Sequence, residues 1–260
     1  MKKIVLFIII LLLIQKVVVW LIPSETAFTA ISAEKSIVMS IISISQKDDF
    51  FNIQVEYPQF KDVDEAFNDR ISAFIMKEID IFKKNAKANW TERITNLPPD
   101  QTVPEKPTVI FDFIANWKPV QLNKRYLSFV INIYSYSGGA HGLSGVYAFN
   151  YDVVQKKELT INDFLGNSPQ ALQKLSQIAA QQVTSQIQSS GVQIDNILTE
   201  MIQQGTNPIW DNYQYFNFND NSLIIYFQQY QVAPGYAGPV TITIFKDTLN
   251  ENSIVSDYLR

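Results

Sequence analysis

Tyr134-Ser135-Tyr136-Ser137-Gly138-Gly139-Ala140-His141-Gly142 decides how this chain folds. The stretch joins two strongly patterned β segments and holds three of the nine glycines and the only histidine. Three glycines within five residues permit positive φ and close backbone approach, which residues carrying a Cβ tolerate poorly. A strand therefore runs into a tight glycine-shaped connection and another strand leaves it. Before the turn, Arg125 to Tyr136 alternates, with Leu127, Phe129, Ile131 and Ile133 on one face. Tyr126, Ser128, Asn132 and Tyr134 take the other face, the period of a strand. After the turn, Val146 to Val153 puts Tyr147, Phe149 and Tyr151 together.

Downstream, Leu159 to Leu165 reads as a short strand and a helical turn. Ser168-Pro169 then opens a helix, with Ser168 as cap and Pro169 at the first helical position. Leu172, Leu175, Ile178, Ala179, Val183 and Ile187 form its apolar stripe, and Gly191 ends it. A shorter helix is expected over Ile194 to Gln204. Strands follow at Tyr213 to Phe218, Leu223 to Val232 and Val240 to Phe245, the first two joined by Asn219-Asp220-Asn221.

Upstream, Ile37 to Ile44 and Phe50 to Tyr57 read as two strands, the second ended by Pro58. Asp62 to Trp90 is a long helix with the stripe Val63, Phe67, Ile71, Phe74, Ile75, Ile79 and Phe82. Asp62 stands in capping position with Glu65 three residues later. Its charged residues, Glu78 among them, read as a solvated face. Four prolines between Asn96 and Pro107 mark a loop, and Thr108 to Trp117 returns as a strand to pair with the first two.

The N-terminus is different in kind. Met1-Lys2-Lys3 precedes the apolar run Ile4 to Ile14, which resumes from Val17 to Ile22. This reads as an export signal about as long as a bilayer core requires. No A-x-A cleavage box follows, Ala30-Ile31-Ser32 being the nearest approximation, so an uncleaved anchor is expected. The remainder then lies outside the cytoplasm, in a single-pass arrangement, or is secreted if the segment is cleaved. With Lys2, Lys3 and Lys16 set aside, 18 basic and 25 acidic residues remain, a net charge of −7.

Composition excludes several classes. A hydrophobic share of 47% supports a packed core, and the acidic balance argues against nucleic acid as a partner. With no cysteine there is no disulfide, iron–sulfur cluster, thiolate zinc site or cysteine nucleophile. Phosphate-binding glycine loops and paired zinc-site histidines are absent.

Tyr136-Ser137-Gly138-Gly139-Ala140-His141-Gly142, the strand Tyr147 to Tyr151 and Leu159-Thr160-Ile161-Asn162-Asp163-Phe164 together resemble the DUF3298 domain. Tyr230, Pro234-Gly235 and Tyr236-Ala237-Gly238-Pro239 extend the resemblance. Ile37 to Trp117, through Tyr57-Pro58-Gln59-Phe60, resembles the DUF4163 (PdaC-type) domain that commonly precedes it. The resemblance implies a bacterial cell-envelope protein, since DUF3298 occurs in lysozyme-sensing anti-sigma factors and beside a peptidoglycan deacetylase catalytic domain. Only Met1, Lys2 and Lys3 precede the apolar run, and one histidine cannot supply the two of the deacetylase metal site. The expectation is an accessory module alone, on an anchor.

The expected fold is α+β: a small β-β-α-β domain followed by a larger antiparallel β-sheet with helices packed on one face. The expected boundaries are 1–22 for the signal anchor or signal peptide, 23–36 for a linker, 37–120 for the DUF4163-like domain, 121–250 for the DUF3298-like domain and 251–260 for a tail. The expected function is a membrane-anchored, extracytoplasmic, non-catalytic binding or sensor module. Its partners would be the membrane, through the N-terminal helix, and peptidoglycan or an envelope protein such as lysozyme. Candidate binding residues are Tyr134, Tyr136, Gly138, Gly139, His141, Gly142, Tyr230, Pro234, Gly235 and Tyr236. No catalytic residue, metal or cofactor is assigned. The alternative is an envelope hydrolase using His141; Ser137 and Ser144 are the local hydroxyls and Asp152 the nearest acid in sequence, and a triad needs all three groups to converge.

Overall fold

The computed structural model describes residues 37–61, 63–254 and 256–259. The anchor at 1–22, the linker at 23–36 and the Asp62 cap lie outside them. Among the described residues no helix is long and apolar enough to cross a membrane.

The fold is α+β, with two sheets. Strands β1 (Met39–Lys47), β2 (Phe51–Phe60), β3 (Phe111–Leu122), β4 (Tyr126–Tyr136), β5 (Leu143–Asp152) and β6 (Lys157–Glu158) form one six-stranded sheet in chain order. All neighbours are antiparallel except β2 and β3, which run parallel because helix α1 (Glu65–Thr95) crosses between them. Strands β7 (Phe216–Asn219), β8 (Ser222–Phe227) and β9 (Val240–Phe245) make a separate antiparallel sheet. The larger sheet therefore comes first in the chain and the smaller one second. The expected division at 120 and 121 falls between β3 and β4, which are adjacent strands of the larger sheet.

Several strand ends differ from the sequence reading: the strand expected from Tyr213 starts at Phe216, after a short 3-10 turn over Trp210–Tyr213, and two others differ for local reasons. Pro58 does not end β2; it pairs with Ile41 of β1. β3 lies beside β2 only from Phe51 to Val55, so Pro58 has an open side where its missing N–H is not needed. β8 ends at Phe227, not Val232, because Tyr230 adopts a φ of 71° that no strand can hold.

Helix α1 is capped by Asp64, whose side chain accepts from Ala66 N–H. It buries Phe67, Ile71, Ile75, Ile79, Phe82 and Ala86 against Leu127, Phe129, Ile131 and Ile133 of the large sheet. Phe129 and Phe149 stack there with centroids 5.2 Å apart. The second core lies between the small sheet and α3 (Pro169–Ser189) with α4 (Asn196–Thr206), and it takes in Tyr126. Ser168 caps α3 as expected, and the four-residue helix α2 (Ile161–Phe164) carries a complete capping box from Thr160 and Asp163. Helix α5 (Lys246–Glu251) follows β9, and Ile254 and Leu259 beyond it are buried in the second core.

Beside the contact of Tyr126 with Phe218, a polar network joins the two sheets. Asn217 of β7 is fully buried, and its amide nitrogen lies 2.9 Å from Ser128 Oγ, 3.1 Å from Phe129 O and 3.1 Å from Asn150 Oδ1. Ser128 donates to Asn150 Oδ1 at 2.7 Å, and Asn150 Nδ2 donates to Phe216 O at 2.6 Å. Replacing Asn217 with Ala strands these buried groups. We expect it to destabilise the fold by about 2–3 kcal/mol, read as a lower midpoint in urea unfolding.

Candidate functional site

The glycine turn connects β4 to β5 over residues 137–142. Gly138 and Gly139 have φ of 95° and 111°, the left-handed region that the spacing anticipated. Gly142 serves for space instead, since a Cβ there would overlap the Tyr134 ring. The turn is fastened on two sides. Asn89 of α1 donates to Ser137 O at 2.9 Å, and Tyr136 donates its hydroxyl proton to Gly139 O at 3.1 Å.

His141 is exposed. Its Nδ1 lies 3.0 Å from Gly142 O and its Nε2 3.2 Å from the Tyr230 hydroxyl. The two ring nitrogens thus meet a carbonyl and a phenol. Asp152 sits at the far end of β5, on the order of 30 Å of strand from the turn, and its Oδ1 accepts from Val154 and Gln155 N–H. Ser144 donates its N–H to Gln229 Oε1. The serine, histidine and acid of the alternative reading do not converge. Among the described residues no group of three or more histidines or acids is placed to hold a metal ion.

The ten candidate residues divide among four places. His141, Tyr230 and Gly235 come together, because a Cβ at Gly235 would overlap the Tyr230 ring, so the missing side chain makes room for that tyrosine. Tyr136, Gly138 and Gly139 instead line a cleft of about 490 Å³ with Trp90 and Arg93 at the end of α1. Pro234 and Tyr236 border a smaller cavity of about 270 Å³ against Ile187 of α3 and Leu198 of α4. Tyr134 is packed over Gly142 and is 40% exposed.

A larger feature runs beside them. Two clefts, of about 490 and 390 Å³, share Tyr147, Gln214 and Tyr215 and form one trough along α1 and the outer edge of β5. Phe74 and Tyr147 lie 4.8 Å apart, and Tyr147 meets Tyr215 edge-on at 5.3 Å. Trp210 and Asn162 line one end, and Glu78, Asn85, Leu143 and Tyr230 the other. Arg70 of α1 pairs with Glu158 at the Trp210 end.

Glu78 is the α1 carboxylate of this trough, beside Glu158 and Asp211 at the other end, and it is half-buried rather than part of a solvated face. Burial pushes its carboxyl above the ordinary value, against the pull of Lys77. Burial, with Glu78 and Tyr215 nearby, pushes the Tyr147 phenol up to about 12. The sequence reading missed Glu78, Gln214, Tyr215, Gln228 and Gln229. The available signal was the four-residue spacing of Phe74 and Glu78, which puts both on one flank of α1.

A two-sheet α+β protein with an aromatic trough beside an exposed strand edge is the class that fold and site define. Residues 44–144 match the family model described as deacetylase PdaC, and residues 162–247 match that of DUF3298, a protein of unknown function. The peptidoglycan-N-acetylmuramic acid deacetylase PdaC of Bacillus subtilis (strain 168) is 31% identical over 201 residues, 77% of this chain and 38% of that protein. The chain thus spans under two fifths of that relative's length. A DUF3298 family member from Bacteroides fragilis NCTC 9343 aligns with a TM-score of 0.51 at 14% identity, over 82% of this chain and 92% of its own. One from Pseudomonas aeruginosa PAO1 aligns at 0.52 and 15%, over 87% and 97%. These likenesses establish a shared fold.

Two outcomes test the site. Gly235→Ala should push the Tyr230 ring off His141 and destabilise the protein by about 1 kcal/mol. The same substitution made beside Tyr230→Ala should be close to neutral, which a double-mutant cycle measures. For Glu78, a folded-state pKa above the unfolded one means full stability below the unfolded value and a loss as pH rises through the folded value. Glu78→Gln should therefore raise the melting temperature at pH 7, and the gain should vanish by about pH 4.

Proposed function

We propose that this chain is a non-catalytic binding module of the cell envelope, and that its trough takes a glycan strand of peptidoglycan. In this reading residues 1–22 hold it at the membrane and the described fold lies outside the cytoplasm. The trough carries the proposal. A sugar ring presents an apolar face of C–H groups and a rim of hydroxyls. Aromatic walls at Phe74, Tyr147, Tyr215 and Trp210 suit the first, and Asn85, Asn162, Gln214 and Glu78 suit the second.

Three further observations support it. The Bacillus relative is named for action on N-acetylmuramic acid in peptidoglycan. His141 is engaged by Gly142 and Tyr230 rather than by an acid and a hydroxyl nucleophile. A net charge of −7 outside the anchor favours an uncharged glycan backbone over an anionic wall polymer.

The test is co-sedimentation with purified, protein-free peptidoglycan. The full chain should pellet, and Tyr215→Ala should weaken retention about tenfold, the scale of one lost aromatic contact. Retention by immobilised lysozyme with none by peptidoglycan would overturn the reading. So would release of acetate or reducing ends that His141→Ala abolishes.

A further inference from the structure

β5 is an edge strand over most of its length, and its even-numbered residues turn their backbone groups outward. Ser144 N–H donates to Gln229 Oε1 at 2.7 Å. Val146 N–H donates to Gln228 Oε1 at 3.1 Å, and Val146 O accepts from Gln228 Nε2 at 2.7 Å. Further along, Asn150 O accepts from Leu159 N–H at 2.9 Å, and Asp152 pairs with Lys157 of β6. The alternation of an antiparallel strand turns Ala148 N–H and C=O the same way. Among the described residues nothing is seen to meet them. The cover along this edge breaks for one residue, and the break opens into the cleft of about 390 Å³ that Phe74, Tyr147, Trp210 and Tyr215 wall.

The length of the break decides what fits. A peptide strand adding to a sheet edge needs a run of free backbone groups, and here Gln228 closes one side and Leu159 the other. A single amide fits. In a trans amide the C=O and N–H point in opposite directions. Its C=O can therefore accept from Ala148 N–H while its N–H faces across the cleft, which Gln214 and Asn162 line. Ala148 C=O is then left for a neighbouring hydroxyl, and the aromatic wall for a small apolar group. An amide carrying a methyl and flanked by a hydroxyl is the acetamido group of an N-acetylated amino sugar.

We propose that Ala148 and the Phe74–Tyr147–Tyr215 wall form a subsite for the acetamido group of a glycan strand. The proposal rests on the envelope-glycan reading above and adds to it the group by which the strand is registered.

The experiment titrates the full chain with an N-acetylglucosamine tetramer and with the glucosamine tetramer of the same length, followed by amide NMR. High salt screens the attraction of the amine form to the acidic surface. The Ala148 amide should shift with the acetylated oligomer, which should bind at least about tenfold more tightly, the scale of one buried hydrogen bond and its methyl contact. Ala148→Pro removes the donor at a position where an edge strand tolerates proline. It should abolish the preference for the acetylated oligomer. Should that variant misfold, the Ala148 resonance still carries the test. Pelleting with peptidoglycan but equal affinity for the two oligomers, or an unmoved Ala148 amide, overturns the subsite and leaves the envelope reading standing. Failure to pellet and to bind either oligomer overturns both.

Discussion

The outer edge of β5 must have its backbone groups hydrogen-bonded or hydrated, and the way this chain meets that demand organises the molecule. An open edge presents a row of unpaired donors and acceptors, which natural sheets cover or break. Here the cover comes from about 80 residues later in the chain: Gln228 and Gln229 place their side-chain amides where a neighbouring strand would place its backbone. A primary amide carries a donor and an acceptor side by side, so one glutamine can satisfy both groups of Val146. That arrangement pins the segment after β8 beside the glycine turn, brings Tyr230 to His141, and leaves the trough as the space between the pinned segment and α1.

The same constraint explains what the sequence made legible. Periodicity reports which face a side chain takes, so the stripe from Phe67 to Phe82 and the alternation from Leu127 to Ile133 could be read directly, and they pack together. The caps at Ser168 and Thr160 were equally local. Edge cover is not periodic. Gln228 and Gln229 continue an apparent strand pattern from Leu223, and only the left-handed Tyr230 breaks it. A tyrosine in that region is uncommon and carries no signature of its own. The opposite face of β4 hid for a related reason. Alternation puts Ser128 on the face opposite Leu127 without saying what covers it; β7 does, and Asn217 makes Ser128 a buried partner.

The candidate site divided along the same line. Residues chosen from the glycine turn share a chain neighbourhood, but a turn has two sides. Tyr136, Gly138 and Gly139 face the end of α1, while His141 faces the segment after β8. The trough residues come from α1, β5 and the stretches around Trp210 and Gln228, four regions with no common motif. Glu78 shows why charge patterning misled. On a bare helix a glutamate among lysines belongs to the solvated face, and only the arrival of Tyr147 and Tyr215 removes its water.

Burial raises the Glu78 carboxyl above its ordinary value, so its charged form gives up hydration where α1 meets Tyr147 and Tyr215 in the trough. The glycan reading proposed above gives that cost a use. On that proposal a ring hydroxyl brought beside Glu78 would supply a donor in place of the lost water, and binding would recover part of the hydration given up there. Rigid walls make that recovery usable. The trough is bounded by α1 and by a segment tied to β5 through the Gln228 and Gln229 amides, so little conformational freedom is left to lose when a ligand settles. The order imposed at Gln228 thus follows from covering a strand edge with side chains rather than with another strand.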